Sequence, residues 1–166
     1  MSFLLLDAMR DYLTGALAAL PLLTPAVRGR EAVLRPPRVL IGELPPRSKD
    51  EEPAADEGGY PFVLLRVSAG EDREELSACE VTLTCAVAAA ERGEALEHEI
   101  QNVVGWVRTA LLKKRVLGGK CRLIPDNQDR LLTWAVYPEY AYPYVAAWIK
   151  GTWELPGIQI TEESYD

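Results

Sequence analysis

The chain has 166 residues, 48% of them hydrophobic, and this length predicts one domain with a hydrophobic core of its own. Its 18 Lys and Arg residues against 25 Asp and Glu residues give a formal net charge of −7. This acidic balance argues against a non-specific nucleic-acid-binding protein, because such proteins need a positive field around the phosphates.

The first segment has the spacing of an amphipathic helix. Apolar side chains recur at intervals of three and four residues, at Leu6, Met9, Leu13, Leu17 and Leu20. This spacing places them along one helix face, and Pro21 marks the end of the helix. Asp7, Arg10 and Asp11 interrupt the apolar stretch, so neither a signal peptide nor a membrane span is expected.

The next segment, residues 21–59, holds seven of the twelve prolines, so long regular elements are not expected in it. A short strand is predicted at Val39–Ile41, and Ala32–Leu34 is a second candidate. Residues 45–59 are acidic, rich in Gly and Pro and nearly free of large apolar side chains. Because they cannot bury enough surface to offset the entropy of ordering, a mobile loop is predicted there.

Two strands are predicted next, at 60–67 and 79–89, joined by the charged segment 68–76. In the second strand apolar residues alternate with polar ones, as in an antiparallel sheet with one packed face: Cys79, Val81, Leu83, Cys85 and Val87 share one face, and Glu80, Thr82 and Thr84 share the other. Cys79 and Cys85 share the packed face of this strand. The chain has three cysteines and no CxxC spacing, so reduced thiols in a cytosolic protein are expected.

Residues 91–115 are predicted to form the second helix. Its buried stripe consists of Leu96, Ile100, Val103, Val104, Val107 and Leu111. Acidic residues crowd its first turns and basic residues its last, an order that complements the helix dipole. Gly118-Gly119 is predicted to end the helix.

Three further strands are predicted at 120–124, 131–137 and 144–154, followed by a loose tail at 158–166. Successive strands with two interposed helices are typical of an α+β fold. We therefore expect residues 1–157 to form a single α+β domain, in which two principal helices pack on a mixed, mainly antiparallel sheet.

No catalytic template is complete in this sequence. His98-Glu99 begins an HExxH zinc motif, but position 102 is Asn. Neither a phosphate-binding loop nor a GxSxG motif occurs, and the acidic residues of segment 125–129 predict a polar turn rather than a calcium loop. No catalytic, cofactor-binding or metal-binding residue is assigned, and the protein is not expected to be an enzyme.

Opposite charges concentrate in two surface segments. Acidic side chains crowd one turn, at Glu71, Asp72, Glu74 and Glu75, and basic side chains follow the second helix, at Lys113, Lys114, Arg115, Lys120 and Arg122. The basic cluster is either a solvated helix end or an edge that faces an acidic partner or phosphates. An aromatic set between Trp134 and Trp153 fits core packing and an interface equally well.

Several elements occur in a characteristic order. They are the N-terminal helix, the Pro-rich loop, the Tyr60-Pro61-Phe62-Val63-Leu64-Leu65-Arg66 strand, the alternating Glu80–Ala89 strand and the Glu94–Arg115 helix. The ending contains Tyr142-Pro143-Tyr144, Trp148 and Trp153-Glu154-Leu155-Pro156. Over residues 2–157 this order resembles the tail terminator, or tail completion, proteins of phages and prophages.

The resemblance implies a structural protein of the virion tail, assembled in the cytoplasm of the host bacterium. Such proteins form a homo-oligomeric ring, commonly a hexamer, that ends polymerisation of the tail tube and joins the tube protein to the head connector proteins, with room for DNA in its lumen. A head-to-tail ring needs two different complementary surfaces. The acidic segment 71–75 and the basic segment 113–122 are the candidate pair, and no membrane, cofactor or sequence-specific nucleic acid is implied.

Two alternatives stay open at the level of the sequence. One is another head–tail connector or minor tail component of similar size. The other, from a different class, is a small-molecule-binding α+β domain with its site in the aromatic C-terminal half. A deep pocket ringed by Trp134 and Trp148 would support this second alternative.

Overall fold

The computed structural model describes residues 2–24, 31–43, 60–89, 93–139 and 143–156. The loop predicted to be mobile at 45–59 and the tail predicted to be loose at 158–166 lie outside the described residues. The helices of the described part are α1 (Ser2–Ala16) and α2 (Glu94–Lys113). Its strands are β1 (Leu22–Leu23), β2 (Leu34–Arg35), β3 (Arg38–Ile41), β4 (Phe62–Asp72), β5 (Leu76–Ala88), β6 (Val116–Leu117), β7 (Cys121–Ile124), β8 (Leu132–Val136) and β9 (Tyr144–Pro156).

Seven of these strands form one sheet in the order β3-β4-β5-β9-β7-β6, and β8 also pairs with β9. β7 and β8 lie end to end along the same side of β9, where Ile124 is opposite Thr152 and Leu132 is opposite Gly151. β3 and β4 are parallel, and the other described pairs are antiparallel. The predicted α+β fold, with two principal helices and a mixed, mainly antiparallel sheet, is confirmed.

The core lies between the two helices and one face of the sheet, which we call the helix face. The predicted alternation of β5 is confirmed, because its packed residues are all buried: Cys79, Val81, Leu83, Cys85 and Val87. The predicted stripe of α2 is buried in the same cluster. On the opposite face, the outer face, Thr82, Thr84 and Trp148 are half-buried.

The stripe of α1 differs from the prediction in its first turn. Leu5 is fully buried, together with Met9 and Leu13, whereas Leu6 is only partly buried at the border of the core. Leu5 and Leu6 both fit a helical spacing to Met9. The position of α1 on the sheet decides which of these two leucines enters the core, and the sequence spacing does not specify that position.

The predicted connection at 68–76 is wrong in its extent. β4 continues to Asp72 and β5 begins at Leu76, so the turn itself is only residues 73–75. The outer half of β4 and the turn, residues 66–75, are all exposed, and a strand with both faces exposed to solvent shows no hydrophobic alternation. Polar contacts stabilise it instead: Ser68 Oγ donates to Glu80 Oε1 at 2.8 Å, and Thr82 Oγ1 donates to Ser68 Oγ at 2.9 Å.

Gly118 and Gly119 do not end α2, contrary to the prediction. The helix ends at Lys113, and the two glycines form the turn between β6 and β7, with φ of 61° and 72°. These positive φ values suit glycine, and they are the values that tight hairpin turns require. Lys120 N donates to Leu117 O at 3.3 Å across the turn.

Within the described residues, no helix combines the length and the apolar character that crossing a membrane requires.

Candidate functional site

The acidic hairpin, which we define as Glu71, Asp72, Glu74 and Glu75, is the exposed end of the β4–β5 ribbon. Arg73 lies among these residues and its Nη2 is 2.9 Å from Glu71 Oε1. Asp72 Oδ1 accepts a hydrogen bond from Ser77 Oγ at 2.6 Å, which ties the end of β4 to the start of β5. One internal arginine leaves most of the negative charge of the hairpin available to a partner.

The basic edge, which we define as Lys113, Lys114, Arg115, Lys120 and Arg122, follows α2 into β6 and β7. All five side chains are exposed. Lys114 Nζ lies 5.0 Å from the centre of the Tyr12 ring on α1. Arg115 O accepts a hydrogen bond from Leu123 N at 2.7 Å, so the backbone at the centre of the cluster is held in place.

The two charged segments lie at the same end of the strands and on opposite edges of the sheet. The register of the sheet aligns Glu71, Ala78, Glu154, Arg122 and Val116 in one row across β4, β5, β9, β7 and β6. Four strand spacings of about 4.8 Å separate the ends of this row by about 19 Å. The acidic hairpin therefore cannot pair directly with the basic edge of its own chain across the sheet, and both are available to other molecules.

The aromatic set divides between core and surface. Trp153 is 1% exposed within the core, whereas Trp134 and Tyr137 are exposed, at 38% and 40%. Tyr140 and Tyr142 lie outside the described residues.

Trp134 and Trp148 do not form a common pocket. Trp134 is opposite the core residue Ile149 on the helix face, and Trp148 belongs to the outer face. Successive residues of a strand point to opposite faces. Trp148 and Ile149 are successive residues of β9, and Trp134 lies opposite Ile149, so Trp134 and Trp148 lie on different sides of the sheet. The pocket ringed by both tryptophans, which would have supported a small-molecule site, is absent from the described part of the chain.

Arg108 is a site residue that the sequence analysis missed. Its guanidinium carbon lies 4.7 Å from the centre of the Trp134 ring, and its Nε is buried without a hydrogen-bond partner among the described residues. Arg108 lies within α2, and Trp134 lies in β8. Only the packing of α2 beside β8 brings them together, so no spacing in the sequence could have indicated the pair.

Two large clefts occur in the described part. One, of about 530 Å³, lies between the β4–β5 ribbon and the 125–127 loop and is lined by Glu71, Arg73, Ala78 and Glu80 among others. The second, of about 540 Å³, lies between α1 and α2 and is lined by Tyr12, Gly105, Trp106 and Lys113 among others. Trp134 and Trp148 line neither of them.

The predicted polar turn at 125–129 forms around Asp126. Its Oδ1 accepts hydrogen bonds from Gln128 N at 2.9 Å and from Arg130 N at 3.0 Å, and its Oδ2 accepts from Arg130 Nε at 2.9 Å. Asp129 adopts a left-handed φ of 62°, which Asp tolerates better than most residues. The carboxylate of Asp126 is thus occupied by the turn itself. Among the described residues, no group of three or more His, Cys, Asp and Glu side chains is arranged to hold a metal ion.

The Asp126 turn is expected to respond to acid. The backbone hydrogen bond from Arg130, with that from Gln128 and the Arg130 side chain, lowers the pKa of Asp126 below its ordinary value of 3.8. A lowered pKa stabilises the turn above pH 3.8, and this contribution is lost as the pH falls through the folded pKa. We expect the amide resonances of Gln128 and Arg130 to stay unchanged from pH 7 to pH 4.5 and to shift below that. Shifts that begin above pH 4.5 would contradict the expectation, and Asp126→Asn removes the titration as a control.

The three thiols are buried, as predicted for Cys79 and Cys85. Burial raises the pKa of Cys79 to about 11 and that of Cys85 to about 12, and it also raises the pKa of Cys121. These thiols therefore stay protonated near neutral pH, and a thiol is a poor nucleophile. His98, the residue that a thiol would need as a base, is exposed on α2.

No family model matches this chain, and no curated protein is significantly similar to it.

Proposed function

We propose that this protein is a tail terminator: a structural virion protein whose copies form a ring that caps the phage tail tube and joins it to the head connector. The observation that carries the proposal is the row from Glu71 to Val116, because it places the acidic hairpin at one edge of the sheet and the basic edge, next to Val116, at the other. The resemblance in the order of elements, described above, supports the same function.

The placement of the charges favours a head-to-tail contact. When two different surfaces of one chain complement each other, each copy binds the next, and the assembly closes into a ring if the rotation permits. The acidic hairpin and the basic edge lie at the same level along the strands. A contact between them needs no shift along the strand direction from copy to copy, and such a contact is compatible with a closed ring.

The other components follow from this function. The ring, proposed to be a hexamer, would meet the tail tube protein on one side and the head connector proteins on the other. Its lumen would allow DNA to pass, and assembly would take place in the cytoplasm of the host bacterium. The basic edge is then an intersubunit surface rather than only a solvated helix end.

Reversing the charge of the acidic hairpin is expected to abolish the ring. In Glu74→Lys/Glu75→Lys, two exposed side chains would face the basic edge of the next copy with like charge. Size-exclusion chromatography with light scattering should then give monomers, with an unchanged melting temperature because both side chains are exposed. An unchanged ring population would contradict the proposed contact.

Two further variants make this test specific. Glu94→Lys/Glu139→Lys makes the same number of charge reversals at exposed positions outside the hairpin, and it should leave the ring intact. Adding Lys113→Glu/Lys114→Glu to the reversed hairpin restores opposite charges and should restore the ring. Failure of this rescue, with both parents folded, would mean that the two segments do not face each other.

Electron microscopy of virions that lack the protein tests the function itself. Overlong tails would indicate a tail terminator. Empty heads without tails would contradict the proposal and indicate a connector component instead. A ring of the purified protein with a central hole as wide as the tail tube would support the terminator.

A further inference from the structure

Within the described part of the chain, β3 and β8 lie at opposite edges of the sheet, and each has an outer edge that no described strand pairs with. Among the described residues, β3 pairs only with β4 and β8 pairs only with β9. Arg38 N donates to Pro61 O and Gly42 N donates to Leu65 O, each at 3.0 Å. The backbone groups of the residues between, Val39 and Ile41, therefore point away from β4, since hydrogen bonding alternates along a strand.

The outward groups of β8 follow from the same alternation. Tyr137 N donates to Ala146 O at 3.0 Å, so residues 133, 135 and 137 bond to β9, while Trp134 and Val136 point their N–H and C=O groups outward. The Ile41 carbonyl accepts a hydrogen bond from Glu43 N at 3.2 Å, but an oxygen with two lone pairs can accept a second one.

The outward residues of β3 and β8 lie in the same rows of the sheet. Val39 aligns with Val136 through Val63, Cys85 and Ala147. In the same way, Ile41 aligns with Trp134 through one residue each of β4, β5 and β9. If a second copy continued the sheet without any shift along the strands, Val39 would meet Val136 and Ile41 would meet Trp134, each pair with its hydrogen-bonding groups facing.

The outlines of the two sheet edges are also complementary in shape. At the level of β3 the sheet is five strands wide, from β3 to β8, and at the level of the acidic hairpin it is again five strands wide, from β4 to β6. On one edge, β3 extends the sheet by one strand beyond β4. On the other edge, β6 extends the sheet by one strand beyond β8 at the level of the acidic hairpin. The same shift that joins β3 to β8 brings Glu71 beside Val116, which follows Arg115 of the basic edge and is paired with Arg122.

β8 lacks the features that protect an edge strand. Its five residues carry no charge and no proline, and its pairing with β9 runs without a bulge. Natural edge strands are normally protected by charges, proline or bulges, and an unprotected one pairs readily with another strand. Trp134 is 38% exposed on this edge, with Arg108 of α2 stacked on it.

We propose that subunits of this protein join by strand addition, with the outer edge of β3 in one copy pairing antiparallel to the outer edge of β8 in the next. The occupant is a second copy because the same chain carries both edges, in matching rows, with matching steps and with opposite charges at the adjoining level. β3 runs parallel to β4 and hence to β9, and β8 runs antiparallel to β9. The added pair is therefore antiparallel. This inference rests on the proposed ring, for which it names the contact.

The pairing is tested with a pair of engineered cysteines, Ile41→Cys/Trp134→Cys, under mild oxidation. Opposed residues in such a pair have Cα atoms about 5.5 Å apart, within the range that a disulfide spans. Within one chain the two positions are four strand spacings, about 19 Å, apart, so any disulfide between them joins two copies. The native thiols are buried and do not compete. On a non-reducing denaturing gel we expect a ladder of covalent oligomers that ends at the subunit number of the ring.

The matched control is Leu40→Cys/Trp134→Cys, which moves one cysteine by a single residue. Because successive residues point to opposite faces, this control should remain monomeric on the gel. Rings that assemble while Ile41→Cys/Trp134→Cys gives no ladder would overturn strand addition and leave the proposed function standing. A ladder that continues into long polymers without rings would support strand addition and contradict the tail terminator.

A proline variant tests the same contact without oxidation. Val136→Pro removes an N–H that points outward, and proline is tolerated at such edge positions. The circular dichroism spectrum should be retained, whereas ring formation is lost. Intact rings of this variant would overturn the inference.

Discussion

Trp153→Ala is expected to lower the free energy of unfolding by about 3–5 kcal/mol, the usual range for removing a buried tryptophan. Trp153 is fully buried in the core, opposite Cys79 of β5 on one side and Leu123 of β7 on the other. Its removal leaves a cavity between these strands and the helices. The result is a lower midpoint of urea unfolding with an unchanged slope, measured by circular dichroism.

Trp148→Ala is the matched control on the same strand. Trp148 lies on the outer face and is half-buried, so we expect a loss of less than about 2 kcal/mol. Trp153→Phe should cost less than Trp153→Ala, because it keeps an aromatic ring and removes an indole N–H that is buried without a partner among the described residues. Equal losses for Trp148→Ala and Trp153→Ala would contradict the assignment of the two faces.

Gly151→Val is the second substitution with a large expected effect. A Cβ atom at Gly151 would lie 2.8 Å from Leu132 Cδ2 and 2.9 Å from two ring carbons of Trp153. Leu132 of β8 packs against the core and Trp153 of β9 lies within it, so the space beside Gly151 is already filled. We expect a destabilisation of about 1–3 kcal/mol from overpacking, measured by thermal unfolding.

Gly105→Ala provides a control of opposite sign. A Cβ atom at Gly105 meets nothing within 4 Å, and the residue lies inside α2. Replacing a glycine in the interior of a helix by alanine is expected to stabilise the protein by about 0.5–1 kcal/mol. If both glycine variants were destabilised alike, steric crowding at Gly151 would not be the cause.

The fold could be predicted from local patterns where a buried face repeats. The alternation of β5 and the stripe of α2 each follow from periodicity, because one side of each element packs on the core. The outer half of β4 was predicted as part of a connection because both of its faces are exposed to solvent, and hydrophobic periodicity does not identify such a strand. Leu5 replaced Leu6 in the core because helix placement, rather than spacing, decides between adjacent leucines.

The candidate site shows the same division. The acidic hairpin and the basic edge were visible as runs of charge, but their alignment in one row depends on the order β4-β5-β9-β7-β6. The end-to-end arrangement of β7 and β8 beside β9 creates the step in the sheet edge, and no local pattern indicates it. The proposed strand addition depends entirely on that step.

The sequence by itself determined the fold class, the buried faces of β5 and α2, the burial of Cys79 and Cys85 and the existence of two opposite charge clusters. These properties follow from composition and from the periods of helix and strand, which are local. Only the tertiary structure decided that the two clusters lie at opposite edges and at one level, that Trp134 and Trp148 belong to different faces, and that β3 and β8 share rows. Those properties depend on strand order and register, which residues far apart in the chain establish together through packing. The acidic net charge argued against a non-specific nucleic-acid-binding protein. The structure adds that, at one level of the sheet, acidic side chains lie at the end of β4 and basic side chains lie beside β6 and β7.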